Sequence, residues 1–287
     1  MHRPIRRPHR RPRHLRWAAL AVLPLSAALA ACSDESTAEG TPTSAVTSTT
    51  GPAGLPAGAE DLVGRWAHFD VVAYADASMN TGIISTGFAD LELRDGVLWN
   101  QMTFCHADTV TDQAIEVSIS DAATRAITPV ATPVEVTEVD GELQLSRPPT
   151  PTPIGIRLED PANESLPDDP NDPRIFDADG DGNPGVTSTV KVSDDLQGEI
   201  YLARREIFAY DVTQVGPDRL EGSITDSSEQ LILGASNPAF LTPAQWVQVD
   251  DPALNPVIWE RVDADWDCDR LAAERDQLFP PNPTADW

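Results

Sequence analysis

The sequence predicts an all-β fold, either an antiparallel β-barrel or a β-sandwich-like meander, with an inserted acidic loop and one short C-terminal helix. Three pairs of apolar-alternating runs are separated by turn signals: 88–93 and 97–104, 134–139 and 142–145, and 207–215 and 220–225. Asp-Gly or Gly-Pro-Asp between such runs indicates a hairpin, because these residues accept the backbone angles of a tight turn. No period of roughly 20 to 50 residues repeats, which argues against a propeller or a solenoid.

The third pair shows the alternation most clearly. Phe208, Tyr210 and Val212 fall on one side of the strand and are expected to face Leu220 and Ile224 on its partner. Alternation of this kind predicts strands with one buried face.

One helix is predicted near the C-terminus. Asp267 or Asp269 can cap its start, Leu271 and Leu278 share a face with Cys268, and a Pro-Pro pair follows. Cap, apolar face and terminating prolines together are the usual signature of a helix.

Residues 1–31 are predicted to be an export signal. Seven arginines and no acid precede an apolar run over 17–31, which Pro24 interrupts. The run is shorter than the roughly 20 residues that a membrane-spanning helix needs. A basic start followed by a short apolar run is typical of a secretory signal.

The end of this segment, Leu29-Ala30-Ala31-Cys32, resembles the lipobox of bacterial lipoproteins. The resemblance implies a lipid on Cys32, a membrane as partner and a location in the cell envelope. Ser33 after that cysteine is compatible with sorting to the outer membrane if the cell is Gram-negative. The alternative is ordinary signal cleavage, with Cys32 incidental.

The remaining chain is expected to form a tether and one domain. Residues 32–60 are rich in Ser, Thr, Ala, Gly and Pro, with almost nothing large enough to bury, which predicts a disordered tether. Residues 61–287 are predicted to form a single β-rich domain.

The chain is strongly acidic, with a formal net charge of −26. Removal of the arginine-rich signal makes the mature protein more negative still. Such a field repels nucleic acid, which we exclude as a partner, and attracts cations. A salty habitat is an alternative reason for the acidity.

Cys105 and Cys268 are the two cysteines left after Cys32. In an exported protein an even pair predicts a disulfide. Two buried free thiols are the alternative.

The stretch from Asp177 to Thr187 predicts a Ca2+ site. Asp177, Asp179 and Asp181 are separated by single residues, glycines follow, and the carbonyl of Asn183 is a further candidate ligand. Carboxylate and carbonyl oxygens on a glycine-bent loop are the ligands that Ca2+ prefers. A solvated acidic surface loop is the alternative.

The same stretch resembles known cation loops only in part. It follows the first positions of the EF-hand but has Ser188 where that family has a bidentate Glu, and 186–192 reads as a strand. It is more similar to the short D-x-D-x-D-G loops of thrombospondin-type modules, which implies further ligands from elsewhere, with Asp168, Asp169 and Asp172 as candidates. The wider motif resembles uncharacterised predicted lipoproteins of myxobacteria.

Gly64-x-Trp66 resembles the first-strand motif of the lipocalins, whose antiparallel barrels hold apolar ligands. The alternative is a core tryptophan beside a glycine that starts a strand.

No catalytic constellation is predicted. His68 and His106 are the histidines outside the signal, neither has metal-ligand spacing to the other, and no G-x-S-x-G or nucleotide-binding motif is present. We therefore expect a lipid-anchored, calcium-binding β-domain that binds or displays, with an envelope protein or glycan as possible partner, and not an enzyme. The alternatives are a lipocalin-like carrier of an apolar ligand and a carboxylate-based hydrolase.

Overall fold

A computed structural model describes residues 54–241 and 246–287. The predicted signal, Cys32 and most of the predicted tether lie outside the described residues. The described part is an all-β domain, as predicted, with two α-helices. Its strands are β1 (Gly64–Ala75), β2 (Asn80–Arg94), β3 (Val97–Thr111), β4 (Glu116–Ile119), β5 (Ala131–Pro133), β6 (Glu135–Val139), β7 (Glu142–Ile154), β8 (Val186–Ser193), β9 (Leu196–Gly216), β10 (Arg219–Asp226), β11 (Glu229–Ala235), β12 (Val247–Gln248) and β13 (Pro256–Val262). Its helices are α1 (Asp121–Arg125) and α2 (Cys268–Leu278).

The main sheet is antiparallel and closes on itself. Its strands follow the order β10, β13, β1, β2, β3, β4, β8 and β9, and β9 then pairs with β10. The long strand β9 makes closure possible, because its first half pairs with β8 and its second half with β7 and β10. The predicted barrel-like architecture is therefore confirmed.

All three predicted hairpins are present. Asp95 and Gly96, and likewise Asp140 and Gly141, have the positive φ angles that such turns need. In the third hairpin, Tyr210 of β9 lies opposite Ile224 of β10.

Strand β7 runs nine residues beyond its predicted end at residue 145. Prolines hid this part of the strand, since a proline lacks the N–H that a central strand donates. Here the side chains of Thr150 and Thr152 point inward and are buried, while Pro151 and Pro153 alternate with them. The strand pairs with β9 and shifts register before Thr150.

The inside of the closed sheet differs between its two ends. Around the Asp95–Gly96 turn, large side chains fill the interior with at most 1% exposure; we call this the filled half, defined by Trp66, Leu98, Leu145, Leu220 and Trp259. The other end encloses a cavity; we call it the hollow half, defined by the lining residues Val72, Ile83, Phe104, Val190, Leu202 and Ile232.

Helix α2 covers the outer face of β1 to β3. Asp267 caps it by accepting a hydrogen bond from the Arg270 N–H at 2.9 Å, as predicted. Leu271 packs with Phe69 and Phe88, and the predicted disulfide joins Cys268 to Cys105 on β3. Both faces of β1 are therefore buried.

Helix α1 was not predicted. The Ser120 side chain caps it by accepting from the Ala123 N–H at 3.1 Å. Five residues are too few to show an apolar period, so only the cap could have indicated this helix.

Burial begins a few residues before the predicted start of the domain at 61. Ala59 and Leu62 have no exposed surface, and Leu55 packs against the same core. Trp66 is likewise fully buried, and its indole N–H donates to the Leu62 carbonyl at 2.9 Å. No helix among the described residues is long and apolar enough to cross a membrane.

Candidate functional site

The acidic loop joins β7 to β8 beside the hollow half. Phe176 donates to the Gly155 carbonyl at 3.1 Å, and Ala178 donates to the Gly185 carbonyl at 2.8 Å, which fixes both ends of the bend. A side chain on Gly185 would collide with the Leu202 carbonyl of β9, so only glycine allows this approach. The chain then enters β8 at Val186, as predicted.

The three predicted carboxylates come together on this bend. Asp177, Asp179 and Asp181 each offer an oxygen within 4.8 Å of the others, a group that could hold a metal ion. Backbone N–H groups orient the outer two: Gly180 and Gly182 donate to Asp177 at 2.7 and 2.9 Å, and Asn183 donates to Asp181 at 2.8 Å. The group therefore has a fixed geometry.

The middle carboxylate is the one best suited to a cation. One Asp179 oxygen accepts from the Thr187 N–H at 3.0 Å, while the other is buried without a hydrogen-bond partner. Burial raises the pKa of Asp179, and the neighbouring charges of Asp181 and Asp177 add to this. Among the described residues, none of the three carboxylates has a salt bridge. These oxygens fit a hard cation.

The other predicted ligands are not part of this group. Asp172 is held by the Arg174 side chain at 2.8 Å, and Asp169 accepts from the Asn171 N–H at 2.8 Å. The Asn183 side chain donates to Asp181 at 3.2 Å. Its carbonyl as a ligand stays a prediction, and so does the source of any remaining ligands.

The second candidate site is the cavity of the hollow half, with a volume of about 330 Å³. Val, Ile and Leu side chains, most of them from β2, β4, β8, β9 and β11, are the largest group in its wall. Trp246 and Phe240 also line it, and Trp246 stacks on Tyr74 with ring centroids 5.6 Å apart. The space is partly enclosed and mainly apolar, the usual character of a small-molecule site.

Two surface grooves have volumes of about 410 and 450 Å³, but both are open to solvent. The first lies over the hairpin turns of the filled half, around Gly141 and Gly216. The second lies beside Pro148 and Pro149 of β7. Neither groove is enclosed to the extent that the cavity is.

One charged pair lies in the cavity wall. Arg204 and Glu206 follow each other along the inward face of β9, with Nε 3.0 Å from Oε1. Their side chains are 16% and 9% exposed. Burial raises the pKa of Glu206, although Arg204 counteracts this. Burial also acts to lower the pKa of Arg204, but the charges of Glu206 and Asp226 and the Tyr74 hydroxyl outweigh it and raise that pKa.

Asp226 lies just behind this pair. It accepts hydrogen bonds from the Tyr74 hydroxyl and from both the N–H and the hydroxyl of Ser228. Burial, and then the Asp226 charge, hold the pKa of Tyr74 well above its usual value, so Tyr74 stays a neutral donor.

A layer of buried polar groups separates the two halves. His68 Nδ1 lies 2.9 Å from an Asp70 oxygen, and both side chains are at most 2% exposed. Tyr210 donates to Asp70 at 3.5 Å, and the Arg147 guanidinium lies over the Tyr210 ring. Phe104, in the cavity wall, contacts the His68 ring edge-on. This layer forms the support beneath the cavity.

The other histidine lies on the outer surface. His106 is half exposed and lies between Asp121 at 2.7 Å and Asp108 at 3.1 Å. Burial acts to lower its pKa, but these two carboxylates outweigh it and raise the pKa above the usual value. His68 and His106 point to different sides of the sheet, so the structure does not bring them together.

Sequence reasoning missed Arg204 and Glu206, although a signal was present. The alternation of Val212, Tyr210 and Phe208 continues backwards along β9 to these two residues. A charged pair in phase with a buried apolar face indicates a polar group inside the sheet.

No family model, curated protein or solved structure matches this chain.

Proposed function

We propose that this protein is a lipid-anchored protein of the cell envelope whose β-domain binds an apolar ligand in the hollow half. The carrying observation is the partly enclosed apolar cavity of about 330 Å³. Cys32 is the proposed site of the lipid, and the residues from 33 to about 54, before Leu55 packs against the core, form the proposed tether. The proposed role is binding or transport of the ligand, without catalysis.

The chemistry of the wall supports this proposal. A cavity near the lower end of the roughly 300–1,000 Å³ range of ligand pockets has room for a small hydrophobic molecule. The filled half and the polar layer limit the depth of the cavity, so the ligand is held at one end of the domain. Burial of the ligand's apolar surface supplies the binding free energy.

A neutral fluorescent probe, N-phenyl-1-naphthylamine, tests the proposal directly. The protein is prepared with Cys32→Ser, because without the proposed lipid it needs no detergent. The emission of the probe should rise when this protein is added. Val190→Trp puts a large ring into the cavity and should abolish most of the increase. Thr189→Trp is the matched control, because Thr189 is the exposed neighbour on the same strand.

Equal probe emission in the Val190→Trp and Thr189→Trp variants would contradict the proposal. A thermal melt of each variant shows whether it is folded under the conditions of the titration.

We also propose that the acidic loop binds Ca2+ and that the ion stabilises the connection between β7 and β8. The support is the group of three carboxylates with the buried, unpartnered Asp179 oxygen. Ala178 packs with Ile154 and Val186, so the loop lies against the wall of the cavity. We expect weak affinity, about millimolar, as in other extracellular modules.

Thermal melts with EDTA and then with excess Ca2+ test this second proposal. The melting temperature should rise by a few degrees with Ca2+, because the ion binds the folded state only. Asp181→Asn should lose that rise, whereas Asp168→Asn, an exposed acid of the same loop outside the group, should keep it. The proposal would be contradicted if the Asp181→Asn variant kept the Ca2+-dependent rise in melting temperature.

The proposed anchor is tested in cells with an alkyne fatty acid as a metabolic label. The protein should incorporate the label and sediment with membranes, and Cys32→Ser should end both. Incorporation of the label into the Cys32→Ser variant would contradict Cys32 as the site of the lipid.

The hydrolase alternative has less support in the cavity. Glu206 is paired with Arg204, and Asp226 is occupied by Tyr74 and Ser228. A pair of carboxylates free to share an acid and a base role is therefore not favoured there.

A further inference from the structure

The charged pair in the cavity wall bears on which ligand the hollow half accepts, a question that rests on the proposed binding function. Arg204 and Glu206 are the only charged side chains among the described residues that line the cavity. Everything else in the wall is apolar or uncharged. The pair is therefore the feature that a ligand's polar end would meet.

The charge of Arg204 is already balanced. Glu206 lies 3.0 Å from it, and the Asp226 carboxylate is close enough to raise the pKa values of both Arg204 and Glu206. One cation thus serves two carboxylates. A third carboxylate, from a ligand, would add negative charge to a group that lacks a free counter-charge.

A cationic end is also disfavoured. Glu206 would attract an ammonium group, but Arg204 would repel it at similar distance. Moving any unpaired charge from water into a mainly apolar space also carries a large desolvation penalty.

An uncharged polar end meets neither difficulty. Glu206 offers an acceptor and Arg204 keeps further N–H groups, since its Nη2 makes only a long 3.3 Å bond to Glu206. The side chains of Ser85 and Gln230 line the same cavity. A hydroxyl or carbonyl group can donate to or accept from these groups without breaking the pair.

We propose that the Arg204–Glu206 pair makes the hollow half selective for uncharged amphiphiles, apolar molecules that end in a hydroxyl or carbonyl group, and that it rejects free carboxylates. The pair acts as a filter for the charge of the ligand.

Three ligands of equal chain length test this selectivity: 1-dodecanol, dodecanoate and dodecylamine. Each is titrated at about pH 8, where the acid and the amine are charged, against N-phenyl-1-naphthylamine bound to the Cys32→Ser chain. Dodecanol should displace the probe at least about ten-fold more effectively than dodecanoate, a difference of about 1.4 kcal/mol.

Substitution of the pair should change the order of the ligands. Glu206→Gln removes one of the two carboxylates and should improve dodecanoate binding about ten-fold, whereas dodecanol should be little affected because the Gln carbonyl still accepts a hydrogen bond. Glu229→Gln is the matched control and should change nothing, because Glu229 on β11 pairs with Arg205 of β9 at 2.9 Å and neither residue lines the cavity.

A second variant covers the case in which Glu206→Gln fails to fold. Arg204→Gln leaves the carboxylates without their cation, so dodecylamine should become the best of the three ligands. The proposal would be overturned if dodecanol and dodecanoate displaced the probe equally from the protein with the intact Arg204–Glu206 pair. It would also be overturned if neither substitution altered the preference among the three ligands. Failure of the probe itself to bind would instead remove the proposed function.

Discussion

The two halves of the barrel share one sheet but use their interiors differently. In the filled half, the fully buried side chains of Trp66 and Trp259 occupy the interior of the sheet. In the hollow half Val, Ile and Leu are the largest group of wall residues, and a cavity of about 330 Å³ remains. The comparison shows that residue size along the strands, and not the strand pairing, decides which end can receive a ligand. The filled half supplies close packing, and the hollow half supplies the proposed ligand site.

The largest effect is expected from truncating a tryptophan of the filled half. Trp259→Ala should lower the free energy of unfolding by ~3–5 kcal/mol, because it opens a void in a close-packed core. Trp246→Ala is the matched change in the hollow half, where Trp246 already borders a cavity, and should cost about 1 kcal/mol. Urea unfolding of both variants measures the difference.

Similar losses at Trp259 and Trp246 would break the comparison between the halves. Probe binding should follow the opposite order, with Trp246→Ala weakening it more than Trp259→Ala does in the folded protein.

The next effect is expected from the disulfide outside the barrel. Replacing both Cys105 and Cys268 by serine should cost ~2–4 kcal/mol, because the bond closes a long loop and holds α2 against β3. The protein that remains folded should bind the probe as before, since neither cysteine lines the cavity. Urea unfolding and probe titration of the double variant, with the unchanged protein as control, check both expectations.

The smallest effect is expected from pH. The pKa of Glu206 is raised in the folded state, so Glu206 holds its proton more tightly in the folded protein than in the unfolded chain. Stability should therefore fall as pH rises from the ordinary carboxyl pKa through the raised one, and Glu206→Gln should lose less over that interval. Glu229→Gln serves as the control in urea unfolding across this range. An identical fall in Glu206→Gln and in the unchanged protein would show that Glu206 makes no contribution.

The features that the sequence predicted well are local. Asp95-Gly96 and Asp140-Gly141 define turns by their own backbone preferences, and Asp267 caps α2 within one turn. The cysteine pair followed from the cysteine count and the predicted export of the chain. Asp177, Asp179 and Asp181 meet because they are close together in the chain.

The features that it could not predict depend on distant residues. Closure of the sheet requires β9 to pair with both β8 and β10, and β9 also pairs with β7 and β11, a combination that no single segment encodes. The cavity depends on the summed volumes of side chains from many strands, and the extension of β7 was hidden by its prolines. The inward position of Arg204 and Glu206 could have been predicted, because these residues continue the alternation of Phe208 and Tyr210.

The central claim is that an apolar ligand sits in the hollow half, and quenching of tryptophan fluorescence by a brominated dodecanol measures this most directly. Trp246 lines the cavity, whereas Trp99 lies on the strand next to the Asp95–Gly96 turn of the filled half. The account predicts saturable quenching that Trp246→Phe largely removes and Trp99→Phe leaves intact. Quenching that is absent, or that persists unchanged in Trp246→Phe, would contradict it.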